Sequence, residues 1–465
     1  MFNWFRRSSS QVSPTQRALG PMENVMMKAS QQYHGYMKIG EVLYLRGPHI
    51  TLDKLDTAVR CLQSRHPALR SRLQRDPDNP RSFLLEEDRT LRLEILEIPR
   101  KRDDYLTFWC REWKEREKET THIGQGLAKF WLLQDPDDDH DKNAPREVVF
   151  ICEHSISDGL SLSTVAHELL IALGSDDENV LGDSLNWPIT MEKSIRESLS
   201  TSEIFFAISR LMLSAIYLRL TSMPTARVPF GRVDFTLNDM VTYCHTEAAY
   251  GMLNKEETKQ LIERCHQEKV TVTSAVSAAI LCAVSQLVII DDGQETVLNV
   301  AINADTRRRC VPAVPNHDLS YHVSCIMPFV IPRRDIPTTP DGMWELARTF
   351  GHHVITAIDA GQILACGLIS EKIVNKVLDS TNVSASPTCN ISSWGLLPFR
   401  ERYGPWELTG MNPFINQIRG ESPFIIFQTV NGTLTIVVVG HDPVIPLQTT
   451  ENLRDITMDT LRHMI

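Results

Sequence analysis

The chain has 465 residues and a formal net charge of −10, from 48 lysines and arginines against 58 aspartates and glutamates. This length exceeds that of a usual single domain, so we expect two domains or two fused halves. The acidic balance argues against nucleic acid as a partner, because phosphate binding needs lysines and arginines clustered over one face. The ten cysteines are scattered, which is typical of free buried thiols, and no signal peptide is apparent, so we expect a cytoplasmic protein.

The first half of the chain begins with a polar segment, residues 1–13, that we expect to be loose. A helix is predicted over residues 52–64, because apolar residues recur on one face, and Pro67 should end it. Apolar runs predict strands at residues 39–45, 129–133 and 147–152. The last two flank an acidic run, residues 135–141, which lacks the glycine and terminal glutamate of a calcium loop and is better explained as a solvated hairpin tip.

The strand at residues 147–152 leads directly into the sequence Glu-His-Ser-Ile-Ser-Asp-Gly at residues 153–159. Asp158 and Gly159 should end the strand, and the apolar spacing that follows predicts a helix over residues 160–173. A histidine between a strand end and a helix start is held rigidly beside a cleft, so His154 is a candidate general base. The alternative, on spacing alone, is a hydrogen-bonded structural histidine. A metal site is not supported, because no zinc-ligand spacing occurs in the chain.

A polar stretch over residues 175–202 predicts a crossover between the two halves. The helix predicted over residues 204–220 is apolar, but it is shorter than a membrane span and carries Arg210 and Arg219. We therefore expect it to be buried or interfacial, with attachment to a membrane surface as the less favoured alternative. Ser184 lies in a motif that resembles the modified serine of carrier proteins, but its place in a linker argues against a carrier domain.

The second half begins near Pro224 and again alternates helices with strands. Helices are predicted over residues 253–265, which are amphipathic, and over residues 273–289, whose small apolar side chains suit burial. Strands are predicted at residues 297–302, 323–330 and 434–439. The alternation of strands and helices in both halves predicts the α/β class.

Several stretches together resemble the superfamily of CoA-dependent acyltransferases, which includes peptide-synthetase condensation domains, alcohol acyltransferases and the plant BAHD enzymes. Residues 154–159 are similar to the second part of the family's His-His-x3-Asp-Gly signature, with Glu153 in place of its first histidine. Residues 65–73 resemble the Arg-His-x2-Leu-Arg-Thr element of condensation domains, and Gln16 with Arg17 resembles their opening motif.

The end of the chain carries a further part of the resemblance. Residues 390–399, followed by Tyr403 and Gly404, are similar to the late strand and loop of BAHD and alcohol acyltransferases. The BAHD motif Asp-Phe-Gly-Trp-Gly is missing, which favours the alcohol acyltransferase or free-standing condensation-like branch.

The resemblance implies two similar α/β halves of the chloramphenicol-acetyltransferase-like type, each a mostly antiparallel sheet with flanking helices. An active-site tunnel is expected between them. The expected halves are residues 14–185 and 236–465, joined by a crossover linker and helix over residues 186–235.

The resemblance also implies roles for the matching residues. His154 would act as the general base, while Asp158 would pair with an arginine, for which Arg70 is the first candidate and Arg17 the second. The backbone N–H of Gly159 would face the developing oxyanion. Further candidates for oxyanion or substrate binding are Ser392, Ser393 and Trp394, and candidates for the phosphates of the donor are Arg307, Arg308 and Arg309. The alternatives are an ordinary turn-capping role for the two serines and a solvent-facing role for the three arginines.

The implied activity is transfer of an acyl group from a thioester to a small-molecule, secondary-metabolite acceptor, with a hydroxyl favoured over an amine. The donor would be acyl-CoA or a phosphopantetheine thioester on a separate acyl carrier protein, and no permanently bound cofactor is expected. We expect a monomer that associates with neither nucleic acid nor membranes. The alternative is a catalytically inactive, condensation-like binding or docking module, which the loss of the first histidine favours and the intact residues 154–159 disfavour.

Overall fold

The protein is described by a computed structural model, which covers residues 15–221, 223–229, 231, 235–289, 295–380, 387–420 and 422–465. The segment expected to be loose, residues 1–13, lies outside the described residues. The described residues form fifteen strands and twelve α-helices.

The strands are, in chain order, β1 (Gln16–Ala18), β2 (Ile39–Gly47), β3 (Ser71–Arg75), β4 (Phe83–Glu87), β5 (Glu94–Pro99), β6 (Ala128–Gln134), β7 (Ala144–Cys152), β8 (His245–Leu253), β9 (Val297–Asp305), β10 (Val323–Pro332), β11 (Cys389–Leu396), β12 (Arg402–Tyr403), β13 (Trp406–Ile415), β14 (Phe424–Val430) and β15 (Thr433–Asp442). The helices are α1 (Pro21–Gln32), α2 (Leu52–Arg65), α3 (Phe108–Arg116), α4 (Gly159–Leu173), α5 (Met191–Ser198), α6 (Thr201–Leu220), α7 (Leu237–Tyr243), α8 (Lys255–Glu268), α9 (Val272–Leu287), α10 (Pro340–Asp359), α11 (Gln362–Leu378) and α12 (Leu447–Met464).

The first large sheet has the strand order β12-β13-β2-β7-β6-β5, in which only β5 and β6 are parallel. Because side chains alternate along a strand, this sheet buries a different cluster on each face. Leu43 and Phe150 face the core that includes α2 and α4, whereas Val42 and Val149 face a cluster with Trp109 of α3. β7 therefore lies inside the lobe, and its carboxyl end is held firmly.

The second large sheet has the strand order β10-β9-β11-β14-β15-β8, and β11 is parallel to both of its neighbours. The apolar residues of α9, α10 and α12 cover one of its faces, where they form a second core. A small sheet, β1-β4-β3, lies beside the first lobe. The two lobes with mixed sheets and flanking helices confirm the predicted α/β class and architecture.

The chain crosses between the lobes late in the sequence. Strands β12 and β13 belong to the first sheet although they follow β11 of the second sheet, and β14 then returns to pair with β11. Residues 402–415, from the far end of the chain, thus complete the first sheet. The predicted domain boundaries at residues 185 and 235 stay a prediction.

The predicted hairpin at residues 129–152 forms from β6 and β7, which are antiparallel. At its tip, Asp137 pairs with Lys101, and Asp138 and Asp141 pair with Arg102. No group of three or more metal-ligating side chains occurs among the described residues. All ten cysteines are free, as predicted, and eight of them are buried.

Helix α6 was expected to be buried or interfacial, and the structure excludes only the buried setting. Leu211 is its one buried residue, and the side chains of Phe205, Leu213, Tyr217 and Leu220 are exposed. The reason is that the helix contacts the protein along one narrow strip, opposite Ala365 and Cys366 of α11. In the part of the chain that the structure describes, no single helix has the length and hydropathy to cross a membrane; two sharply bent helix pairs meet that test by length and composition only.

Candidate active site

His154 lies two residues beyond the end of β7, at the wall of a cavity of about 440 Å³ between the two lobes. Its Nδ1 is 2.6 Å from the carbonyl oxygen of Ser157. A carbonyl can only accept, so Nδ1 carries the proton, and Nε2 has a free lone pair. The ring of Tyr321 lies 5.0 Å from the imidazole, which limits the movement of the histidine. The local turn therefore fixes both the tautomer and the orientation of His154.

Burial lowers the pKa of His154 below its ordinary value, although the Ser157 carbonyl and the charge of Asp158 act in the opposite direction. A buried imidazole loses hydration that the charged form needs, so the neutral form is favoured. His154 is therefore neutral near pH 7 and able to accept a proton.

Asp158 caps helix α4 with one carboxylate oxygen and reaches the second lobe with the other. Its Oδ1 accepts a hydrogen bond from the backbone N–H of Ser161 at 3.1 Å, as expected of an N-cap aspartate. Its Oδ2 accepts hydrogen bonds from Nη1 of Arg307 at 2.7 Å and from the backbone N–H of His322 at 2.9 Å. The loop that carries His154 is thereby tied to both lobes.

Arg307 is fully buried and also contacts Asp305 at 3.0 Å and the carbonyl oxygen of Ser320 at 3.0 Å. Burial alone would raise the pKa of Asp158, but the Arg307 guanidinium and the N–H of Ser161 hold it below its ordinary value. Burial raises the pKa of Asp305, which shares the same guanidinium. The ion pair behind the loop that carries His154 is thus Asp158 with Arg307.

The predicted pairing of Asp158 with Arg70 is wrong. Arg70 donates from Nε to Glu87 at 2.8 Å and from Nη2 to the hydroxyl of Ser184 at 2.8 Å. Arg17, the second candidate, pairs with Glu23. Arg17 lies in β1 and Arg70 ends the short turn before β3, so each arginine is paired with a carboxylate on a neighbouring segment of the small sheet or of α1.

The prediction that Arg307 contacts the phosphates of a donor is also wrong, because its guanidinium is buried against Asp158 and Asp305. Arg308 and Arg309 are exposed, and their contact with phosphates stays a prediction.

Gly159 and residues of β11 line the same cavity as His154. The indole of Trp394 covers Gly159 so closely that a Cβ at this position would overlap the ring. Trp394 is the extra residue where the β11–β14 register shifts, and such a bulge turns a side chain away from the regular alternation. Its Nε1 donates to the hydroxyl of Ser392 at 3.2 Å.

Ser392 and Ser393 lie on opposite faces of β11, as neighbours in a strand do. Ser392 lines the cavity together with His154, Gly159 and Trp394. The hydroxyl of Ser393 lies 3.0 Å from that of Thr273 on α9, so the prediction of a cavity role for Ser393 is wrong.

Glu153, which occupies the place of the family's first histidine, faces away from His154. It is buried, accepts a hydrogen bond from Thr121 at 2.5 Å and forms an ion pair with Lys38 at 3.3 Å. It lines a separate, polar cavity of about 490 Å³. The Glu153 carboxylate therefore holds the loop that carries His154 in place, through contacts on the side away from the imidazole.

Two residues of the site were not identified in the sequence. Tyr321 lies against His154, and His322 donates its backbone N–H to Asp158. Burial, followed by the charge of Arg307, lowers the pKa of His322 to about 3, so its imidazole is neutral beside the ion pair. No spacing in the sequence points to these residues, because β9 and β10 bring them to the loop across the lobe interface.

The rest of the cavity is lined by both apolar and polar residues. The apolar ones include Met26, Met37, Ile39, Val374, Val377 and Leu378. The polar ones include Asn390, Gln417, Arg419 and Ser422. Such a cavity suits a mainly apolar ligand with a few polar groups.

The chain is similar to known proteins in sequence over one region and in fold over nearly all of its length. A family model described as the C-terminus of phthiocerol/phthiodiolone dimycocerosyl transferase matches residues 246–438. No curated protein matches the chain at a significant level.

Three solved structures illustrate the shared fold. TRI3 trichothecene 15-O-acetyltransferase from Fusarium sporotrichioides has a TM-score of 0.73 at 12% identity, covering 97% of this chain and 95% of that chain. Polyketide synthase associated protein 5 from Mycobacterium tuberculosis has a TM-score of 0.65 at 18% identity, covering 96% and 98%. The condensation domain of the Monacolin K polyketide synthase MokA has a TM-score of 0.67 at 11% identity, covering 97% of each chain.

The low identities show a common fold, and the family match adds a similarity in sequence over the second lobe. The chain therefore shares its fold with an O-acetyltransferase and with condensation domains, and it is similar in sequence to the dimycocerosyl transferase family over residues 246–438.

Proposed function

We propose that the protein is an acyltransferase that moves an acyl group from a thioester donor to a hydroxyl of a small-molecule acceptor. The observation that carries this proposal is the neutral, buried His154, whose Nδ1–H is fixed on the Ser157 carbonyl and whose ring lines the cavity between the lobes. The similarity to the dimycocerosyl transferase family and the fold shared with an O-acetyltransferase support the same reaction class.

In the proposed reaction, Nε2 of His154 takes the proton of the acceptor hydroxyl as its oxygen attacks the thioester carbonyl carbon. The tetrahedral intermediate then collapses, the carbon–sulfur bond breaks, and the imidazolium returns its proton to the leaving thiolate. The products are an ester and a free thiol, and His154 is neutral again. General base catalysis of this kind contributes about 10²–10⁴-fold in rate.

We assign the oxyanion contacts to the backbone N–H of Gly159 and the hydroxyl of Ser392. Gly159 is the first residue of α4, where backbone N–H groups have no partner within the helix. The Ser392 hydroxyl accepts from Trp394 and keeps its own hydrogen to donate into the cavity. In this assignment Asp158 and Arg307 are positioning residues, because they hold the loop and touch no reacting atom.

The donor in this proposal is acyl-CoA or an acyl group on a separate carrier protein, and the acceptor is a secondary metabolite. The exposed Arg308 and Arg309 are the candidates for contact with the donor's phosphates. A monomeric state is part of the proposal, and light scattering during size-exclusion chromatography tests it.

The experiment is to incubate the purified protein with a series of acyl-CoA donors and hydroxylated acceptors, and to measure ester and CoA by mass spectrometry. We expect both products in equal amounts for at least one pair. The same acyl group presented on a carrier protein decides between the two donor classes by its kcat/KM. No ester from either donor class across the series would contradict the proposal.

The second candidate function is a binding or docking module without catalysis. The observation in its favour is Glu153, which stands in place of the family's first histidine and is committed to Lys38 and Thr121. Such a module would be stabilised against heat by acyl-CoA, as any ligand of the native state stabilises it, without releasing thiol.

A further inference from the structure

A buried arginine lines the cavity that contains His154. Arg419 follows β13, is 2% exposed, and lines the cavity together with Gln417 and Ser422. A fully charged side chain is rarely buried without a partner, so its environment needs an explanation.

Arg419 is held by the carboxyl end of α11 and by an aromatic ring. Its Nη2 donates to the carbonyl oxygens of Leu378 at 3.0 Å and Ser380 at 2.8 Å. Its guanidinium carbon lies 4.7 Å from the ring centre of Tyr33, whose hydroxyl donates to the same Leu378 carbonyl. These contacts fix the direction of the guanidinium, and the helix carboxyl end supplies a partial negative charge.

The charge of Arg419 is not neutralised by any carboxylate that the structure describes. Among the described residues no aspartate or glutamate forms an ion pair with it, and Glu421 lies outside the described residues. Its Nε has neither accessible surface nor a hydrogen-bond partner among these residues. A partial charge from a helix end offsets a buried guanidinium only in part, and an unpaired N–H costs further stability. The site is thus prepared for an anionic group that completes it.

We propose that Arg419 binds a carboxylate carried by a substrate in the cavity, so that the protein acts on an apolar acid. A single guanidinium that lines the cavity matches a monoanion, which accepts charge-assisted hydrogen bonds and cancels the charge. A phosphate group would carry roughly two negative charges into a site that has one cation. That the bound acid is a substrate, and not merely a ligand, rests on the proposed function.

The neighbours of Arg419 fit this ligand class. Asn390 donates to the hydroxyl of Ser422 at 2.8 Å, and both line the cavity together with Arg419. Apolar residues of α1 and α11 also line the cavity and suit a hydrocarbon body. The carboxylate belongs either to a hydroxy acid that accepts the acyl group or to an acyl donor with a terminal acid.

The first test measures binding without catalysis. Octanoate and octanamide have the same hydrocarbon body, and their affinities are compared by calorimetry at pH 7. We expect octanoate to bind about 10- to 100-fold more tightly, the range expected for a hydrogen bond to a charged group. Equal affinity, or no binding of octanoate, would overturn the inference, and this comparison needs no variant.

Variants then show which residue is responsible for the preference for octanoate over octanamide. Arg419→Gln should abolish it, Arg419→Lys should keep part of it, and Lys372→Gln, which removes an exposed cation of α11, should leave it unchanged. If the Arg419→Gln protein does not fold, Arg419→Lys still tests the location, because an ammonium lacks the planar fork and should weaken octanoate binding. An unchanged preference in both Arg419 variants would place the anion elsewhere and overturn the inference.

Turnover distinguishes the two sources of the carboxylate. One arm compares 8-hydroxyoctanoate with its methyl ester as acceptors, and the other compares suberyl-CoA with octanoyl-CoA as donors. We expect kcat/KM to favour the acid in one arm and to lose this preference in Arg419→Gln. Octanoate selectivity without any acyl transfer would contradict the proposed function alone, whereas acyl transfer without any preference for an acid would contradict the Arg419 inference alone.

Discussion

The ion pair between Asp158 and Arg307 should hold the catalytic loop, and a double-mutant cycle measures this. The two side chains are 2% and 0% exposed and 2.7 Å apart, so removing one partner leaves a buried charge. Breaking a pair of this kind costs about 3–5 kcal/mol of the free energy of unfolding. The cost of Asp158→Asn should lie near the lower limit of this range, because Arg307 keeps Asp305 at 3.0 Å. The cost of Arg307→Met should lie near the upper limit.

The double variant should cost much less than the sum of the single variants, because it leaves no orphaned charge at Asp158. The assay is urea unfolding, followed by fluorescence and far-ultraviolet circular dichroism. Since the pKa of Asp158 is held below its ordinary value, the contribution is present above about pH 4 and is lost as the pH falls through the lowered pKa. Arg70→Met combined with Asp158→Asn is the control and should be additive. Additive costs for the Arg307 pair would refute the reasoning.

Three further predictions concern the cavity and its base. Gly159→Ala should abolish turnover, because its Cβ would overlap Trp394, and the added change Trp394→Ala should restore the melting temperature if that overlap is the cause. The value of kcat/KM should fall as the pH decreases, because only the neutral form of His154 accepts a proton. Burial lowers the pKa of His154, so the inflection should lie below the ordinary histidine pKa of about 6.5. An inflection above about 6.5 would exclude His154 as the base. Ser392→Ala should lower kcat by about 10²–10³-fold if its hydroxyl contacts the oxyanion, while Ser393→Ala, whose hydroxyl faces Thr273, should retain kcat.

The bounds of several helices follow closely from local sequence signals. Periodicity predicts a helix at residues 52–64, and α2 ends at Arg65, directly before the break that Pro67 imposes. The helix predicted from residue 253 begins instead at Lys255, because Asn254 caps it and Leu253 completes β8. Chain-local chemistry thus determines these elements to within a few residues.

The contacts that complete the site could not be predicted in this way. Asp158 and Arg307 are 149 residues apart in the sequence, and a carboxylate gives no sign of which arginine the fold will bring to it. The same limit applies to α6, since an apolar helix of its length is compatible with burial or exposure. Local signals determine where helices and strands begin and end, whereas ion-pair partners depend on the whole fold, even for Arg17 and its near neighbour Glu23.

The central claim is that His154 is the base for acyl transfer. The most direct measurement compares ester formation by the wild-type protein, His154→Ala, and His352→Ala, in which an exposed histidine of α10 is removed as a matched control. With folding verified by circular dichroism, His154→Ala should lose about 10²–10⁴-fold in kcat, and His352→Ala should retain the wild-type rate. Wild-type turnover by the folded His154→Ala protein would contradict the account.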